Sequence, residues 1–181
     1  KNMTRYRNKY RIESTRLRGW DYRWDGYYFI TICTKNRQHF FGEIANGVMV
    51  LNETGQVVQK YWYEIPLHFP HVQLDAFVVM PDHIHGIMIL QSTFDNRCNN
   101  KSTNGDDAEP NFYSRISPKP QSLSTIIRSY KSICTKMIGV PIWQSGFYEH
   151  IIRNEPSLQK IRNYIINNPT MWNDDENSVK K

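Results

Sequence analysis

Cysteine is scarce: Cys33, Cys98 and Cys134 are spread along 181 residues with no CxxC pair among them. That spacing excludes a disulfide framework and a zinc knuckle and suits reduced thiols. No apolar run approaches the ~20 residues that cross a bilayer, and the first residues lack the apolar stretch of a secretion signal. A soluble cytoplasmic protein with no membrane association is therefore expected. No internal repeat is evident either. What the chain does have is core material, 39% hydrophobic and 13% aromatic residues, which excludes general disorder. The length suits one domain with appendages.

The net charge of +6 is placed unevenly. Residues 1–24 hold Lys1, Arg5, Arg7, Lys9, Arg11, Arg16, Arg18 and Arg23 against Glu13 and Asp21, so the rest of the chain is neutral in sum. Tyr6, Tyr10, Trp20 and Tyr22 are interleaved with these cations. Cations for phosphates and rings for bases suit a nucleic acid, although a solvated tail has the same charge. Three parts follow: a basic arm over 1–25, a domain over 26–172, and a tail over 173–181.

Within the domain, Tyr27 to Thr34 is β-branched and aromatic after Asp25-Gly26, and reads as a strand. Phe40 to Ile44 and Val48 to Leu51 flank Asn46-Gly47, a hairpin signal. Val57, Val58, Tyr61, Trp62 and Ile65 recur at helical spacing, with Pro66 and Pro70 expected to close that helix. Val72 to Met80 and His83 to Leu90, separated by Pro81-Asp82, predict an antiparallel strand pair. Residues 91–121 are polar, without periodicity, and read as a mobile loop. A second helix is expected over Ser122 to Ile138, with Arg128, Lys131 and Lys136 away from its apolar stripe. A strand over Phe147 to Ile152 and a helix from Pro156 to Asn168 complete the order. The class is α+β: a ferredoxin-like or RRM-like sandwich whose antiparallel sheet of four or five strands carries helices.

His83-Ile84-His85 is the tripeptide richest in chemistry. Alternate residues of a strand share a face, so both imidazoles point one way, close enough to hold one divalent ion, while Ile84 enters the opposite layer. On the last helix Tyr164 and Asn168 are four residues apart and stack on one face. They offer a phenol and an amide oxygen to the same ion. Two imidazoles and an amide are a neutral ligand set, which leaves the ion's charge available to a substrate phosphate. Taken singly, each has a structural reading: hydrogen-bonded histidines, an aromatic cap on the Ile161 and Ile165 stripe, and a helix C-terminal asparagine before Pro169.

Jointly, Met80-Pro81-Asp82-His83-Ile84-His85, the run Trp143-Gln144 to Tyr148-Glu149-His150-Ile151-Ile152-Arg153, and Tyr164-Ile165 to Asn168-Pro169 resemble the HUH-type single-tyrosine transposases. Within that IS200-like superfamily they most resemble the REP-associated tyrosine transposases, from about Gly26 to Pro169 with the 91–121 loop excluded. The resemblance implies an HUH nuclease fold, His83 and His85 as the metal pair, and Tyr164 as nucleophile. It also places a polar ligand at Asn168, one methylene shorter than the glutamine common there. Implied with it are Mg²⁺ or Mn²⁺ as cofactor, a bacterial nucleoid-associated location, and single-stranded hairpin DNA from palindromic repeats as substrate. The activity would be endonuclease and strand transfer through a 5′-phosphotyrosine link, by a monomer or a homodimer. Arg5, Arg7, Arg11, Arg16 and Arg18 of the arm are candidates to grip DNA beside the hairpin, and Arg153 a candidate phosphate contact. His150 is a candidate acid or base and Tyr148 a rival nucleophile. His39, His68 and His71 match no part of the pattern and read as ordinary surface histidines.

Two rival readings remain. The same sandwich hosts non-catalytic nucleic-acid-binding modules that stack bases on a sheet face, with Tyr27, Tyr28 and Phe29 as candidates. A hydrolase using the histidine pair without the tyrosine is the other.

Overall fold

A computed structural model describes residues 24–91 and 121–172, plus a short backbone pairing of Arg5–Tyr6 (β1) with Lys9–Tyr10 (β2). The side chains of Arg5, Arg7, Arg11, Arg16 and Arg18, most of the expected 91–121 loop with Cys98, and the 173–181 tail lie outside the described residues.

The main sheet is built from β3 (Gly26–Cys33), β6 (Val72–Met80), β7 (His83–Leu90) and β8 (Tyr148–Ile152). Its order is β6-β7-β3-β8, with every described pairing antiparallel. Helix α1 (Glu53–Tyr63) joins β3 to β6, and helix α3 (Leu123–Ile138) lies between β7 and β8. This is the βαββαβ order of the ferredoxin-like sandwich, as expected. The hairpin stands apart as a ribbon of β4 (Gly42–Ala45) and β5 (Val48–Leu51). Its turn takes positive φ at Asn46 (54°) and Gly47 (73°), as a two-residue hairpin loop requires.

Strand alternation gives the sheet two faces. Tyr28, Ile30, Ile32, Ile84 and Met88 join Val58 and Trp62 of α1 and Leu123, Ile126 and Tyr130 of α3 in the larger core. The other face buries Ile87 and Ile152, with Phe29 and Val78, under helix α4 (Glu155–Asn167) through Leu158, Ile161 and Ile165. Lying second in the sheet and covered on both faces, β7 has nearly every residue buried, which explains its continuous apolar run. Gly86 is where this strand meets α1: a Cβ there would run into the Trp62 indole, itself stacked 4.6 Å from Phe77.

Pro66 corrects one expectation. Instead of closing the first helix it lies in the opening turn of a separate four-residue helix, α2 (Ile65–His68), after α1 has ended at Tyr63. A proline at the start of a helix loses no hydrogen bond, so the residue that stops one helix can begin the next.

Candidate metal and tyrosine site

The site begins at the Pro81-Asp82 turn between β6 and β7. Phe41 N–H donates to the Pro81 carbonyl (3.1 Å) and Thr34 N–H to the Asp82 carbonyl (2.9 Å), so the turn is held from outside. His83 and His85 then emerge on the α4 face of the sheet, each 5% exposed, while Ile84 is fully buried in the opposite core.

Each imidazole is oriented through its Nδ1. Asp82 Oδ1 stands 2.6 Å from His83 Nδ1, and the other carboxylate oxygen is 2.8 Å from Arg37 Nε. Thr31, paired directly with His85 across the β3–β7 ladder, brings Oγ1 to 2.8 Å from His85 Nδ1. A carboxylate only accepts, so His83 Nδ1 donates to Asp82 and its Nε2 turns the other way, into the site. That Nε2 faces His85 Nε2 at 3.0 Å. Two nitrogens so placed require a shared proton or a cation between them. Both could hold one ion at the ~2.0–2.1 Å of an imidazole–metal bond. Burial, reinforced by the charges of His83 and Arg37, holds His85 well below the usual imidazole range, which keeps it the neutral ligand a cation needs.

The third component comes from α4. Asn154 caps it, its Oδ1 accepting from Ser157 N–H (2.9 Å), and Pro156 occupies the first turn. Arg162 binds both oxygens of Asp75, with contacts between 2.6 and 3.1 Å, fastening the helix to β6. The carboxylate is available because the β6–β7 register shifts between Leu74 and Phe77, and such irregularities re-aim side chains. Tyr164, 46% exposed, then places its hydroxyl 3.3 Å from His85 Nε2. Phe29 supports both rings, stacked on His85 at 5.2 Å and edge-on to Tyr164 at 6.2 Å.

Asn168 occupies the inward stripe of Leu158, Ile161, Ile165 and Trp172, where an apolar residue is the rule. It is 3% exposed, and among the described residues its Oδ1 has no hydrogen-bond partner. Buried carboxamides without partners are rare and call for a reason. On either side along the chain, Tyr164 and Trp172 set their rings against His85 (5.3 Å) and His83 (5.9 Å). Among the described residues no three His, Cys, Asp or Glu side chains form a metal cluster. The two facing Nε2 atoms are the described pair that could hold a cation, and Asn168 Oδ1 is a buried, unpartnered acceptor one helical turn beyond Tyr164.

The remaining sequence candidates are less central. Tyr148 is half exposed, edge-on to Phe29 at 6.4 Å, and among the described residues makes no hydrogen bond to either imidazole. His150 and Arg153 are exposed on β8 and just beyond it. His39, read as ordinary, lies 5.8 Å from Trp172, the ring beside His83. Thr31, Arg37, Phe29, Trp172 and the Asp75–Arg162 pair were not singled out for the site in the sequence. Asp82 had a legible signal: a carboxylate preceding a candidate metal histidine is a natural Nδ1 partner.

A protein of Haemophilus influenzae (strain ATCC 51907 / DSM 11121 / KW20 / Rd), described as uncharacterized, is 38% identical over 173 residues, covering 90% of this chain and 91% of that one. The two belong to one family. No family model matches the chain. Among solved structures, a REP-associated tyrosine transposase bound to a REP hairpin superposes with a TM-score of 0.56 at 23% identity. The match covers 87% of this chain and 73% of that one. The fold is thus that of the HUH-type transposases, in agreement with the motif resemblance.

Proposed function

We propose that the protein is a transposase-type enzyme that cuts and rejoins single-stranded DNA beside a hairpin, with Tyr164 as nucleophile. The observation that carries this reading is the convergence of the Tyr164 hydroxyl, on α4, with the facing Nε2 atoms of His83 and His85, on β7. The hairpin-bound state of the structural neighbour supports hairpin DNA as the substrate class.

In this reading His83, His85 and Asn168 would hold Mg²⁺ or Mn²⁺, which supplies Lewis-acid charge for the scissile phosphate. Asp82 and Thr31 fix the two rings through Nδ1 so that Nε2 faces the site. The half-exposed phenol attacks phosphorus, losing its proton to solvent. The bond to the 3′ oxygen breaks, giving a free 3′-hydroxyl and a 5′-phosphotyrosine. Since one phosphoester replaces another, a second 3′-hydroxyl can attack the tyrosine link and rejoin the strand without ATP. Packing from Phe29 and the Arg162–Asp75 pair holds the phenol in place for in-line attack.

Labelled hairpin DNA with a single-stranded flank, incubated with the protein and Mn²⁺, tests the reading. A denaturation-resistant protein–DNA adduct, lost in Tyr164→Phe and in His83→Ala, is expected. An adduct on Tyr148 would move the nucleophile, and cleavage that survives Tyr164→Phe would point to a hydrolase.

A further inference from the structure

On the α3 side of the sheet lies a groove that the tyrosine site does not use. It runs between α3 and the segment 141–147, lined by Arg128, Lys131, Ser132, Thr135, Lys136 and Ser145. An adjoining depression continues past Gly146 and Phe147. No carboxylate lines either one.

The three cations differ in what they do. Lys131 is engaged internally: Nζ donates to the carbonyls of Gln144 (2.6 Å) and Gly146 (2.9 Å), fastening the far wall to the helix. Arg128 and Lys136 are exposed, and among the described residues neither has a carboxylate partner. Eight residues apart on one helix, they are spaced by about 12 Å along its axis. The Ser132 and Thr135 hydroxyls lie between them in sequence. Trp143 packs inward against Phe41 (5.4 Å) and Tyr130 (5.9 Å), so its ring is engaged in the core. Beside the half-buried rings of Trp143 and Phe147 in its walls, the groove and its continuation offer cations and hydroxyls, which suit phosphates. The 143–147 wall also leads directly into β8, where Tyr148 pairs with Thr31, the partner of His85. The groove wall is thus linked to the tyrosine site through the chain segment that enters β8.

We propose that the α3 groove binds the phosphate backbone of a DNA duplex stem, with Arg128 and Lys136 as its two phosphate contacts. The assignment rests on the reading of the protein as a hairpin-DNA enzyme and adds where the stem is held. A stem turns its bases inward and presents paired backbones, which is what a groove of this chemistry can grip.

The test uses the full chain carrying Arg128→Ala and Lys136→Ala together, both at exposed positions, with its melting curve compared to the parent. Affinity is measured by fluorescence anisotropy against salt for a blunt duplex stem, an unstructured single strand, and a hairpin with a flank. The expected result is about tenfold weaker binding of stem and hairpin near physiological salt. The slope of log K against log salt should be shallower by about 1.8 for those two, with the unstructured strand unaffected. Unchanged stem affinity and slope, or a loss confined to the unstructured strand, would overturn the groove assignment. Adduct formation at saturating hairpin DNA separates the two proposals. A parent protein that forms the Tyr164 adduct while the double variant binds stem normally leaves the enzyme and removes the groove. Should the parent form no adduct while stem binding still depends on Arg128 and Lys136, the groove survives and the enzyme does not.

Discussion

The Tyr164 hydroxyl lies 3.3 Å from His85 Nε2, although 79 residues of chain separate them. Strand β7 delivers the imidazole from a doubly covered position, and α4 delivers the phenol from a helix with one face on the sheet. Neither element could bring the pair together alone. Ile165 and Phe29 pack beside the pair, and Arg162, two residues before Tyr164, bonds to Asp75 of β6.

Tyr164→Phe should separate chemistry from stability. The ring stays and a single hydrogen bond at a half-exposed position is removed, so urea unfolding should change by no more than about 1 kcal/mol. The covalent adduct should vanish. A large loss of stability would mean that the phenol is principally structural.

Divalent cation should stabilise the folded protein through the same site. A ligand that binds only the native state adds about 2.7 kcal/mol at one hundred times its Kd. For a chain of this size that is a rise in Tm of about 5–10 °C. Titrating Mn²⁺ into chelator-treated protein during thermal melts should show the rise, and EDTA should reverse it. His83→Ala and His85→Ala should abolish it. Asn168→Ala should shift the titration to higher Mn²⁺; an unchanged midpoint would remove the carboxamide from the ligand set.

The pH dependence of stability follows from His85. Its folded-state affinity for protons lies well below the ordinary value of 6.5, chiefly through burial. The unfolded chain therefore binds the proton first as pH falls. The contribution of neutral His85 is complete above about pH 6.5 and is lost as pH drops toward the folded value. Metal-free protein should lose up to about 1.4 kcal/mol per pH unit in that window from this group. Urea unfolding at several pH values measures the slope, and His85→Gln should flatten it. A slope that persists in the variant would locate the effect in other groups.

Gly86→Ala tests the opposite face of the same strand. An added methyl would meet the Trp62 indole, already held between Phe77 and, at 5.4 Å, Tyr130. Overpacking of this kind costs about 1–3 kcal/mol. Denaturant unfolding should register that loss, and Trp62→Phe in the same chain should restore part of it.

Much of this architecture was legible because its signals are local. His83-Ile84-His85 alternates within one strand, and Asn46-Gly47 names its own turn. The periodicity of Leu158, Ile161 and Ile165 orients α4, which places Tyr164 and Asn168 on neighbouring lines of the helix. Thr31 was not legible as a partner of His85, because that contact depends on the β3–β7 register, which pairs residues 54 apart. The Asp75–Arg162 pair depends on an irregularity in β6, and Trp172 on where the chain runs after Pro169. Pro66 is ambiguous in the sequence because a proline can end one helix or begin another, and the packing around it decides between them.

The Asp75–Arg162 pair leads to the least obvious expectation, a catalytic effect from residues that touch no substrate. Arg162 precedes Tyr164 by two residues, and its bonds to both Asp75 oxygens are the described polar link from α4 to the sheet's edge strand β6. The guanidinium also holds the Asp75 carboxyl below its ordinary value, so the link should persist through neutral pH and weaken only in acid. Asp75→Ala leaves the apolar contacts of Leu158 and Ile165 in place. The helix should therefore remain docked while its amides exchange faster with solvent, and adduct formation should slow with little change in DNA affinity. Hydrogen exchange across 155–167 and single-turnover kinetics read these two effects separately. Faster exchange with an unchanged adduct rate would show that the phenol is positioned by apolar packing alone.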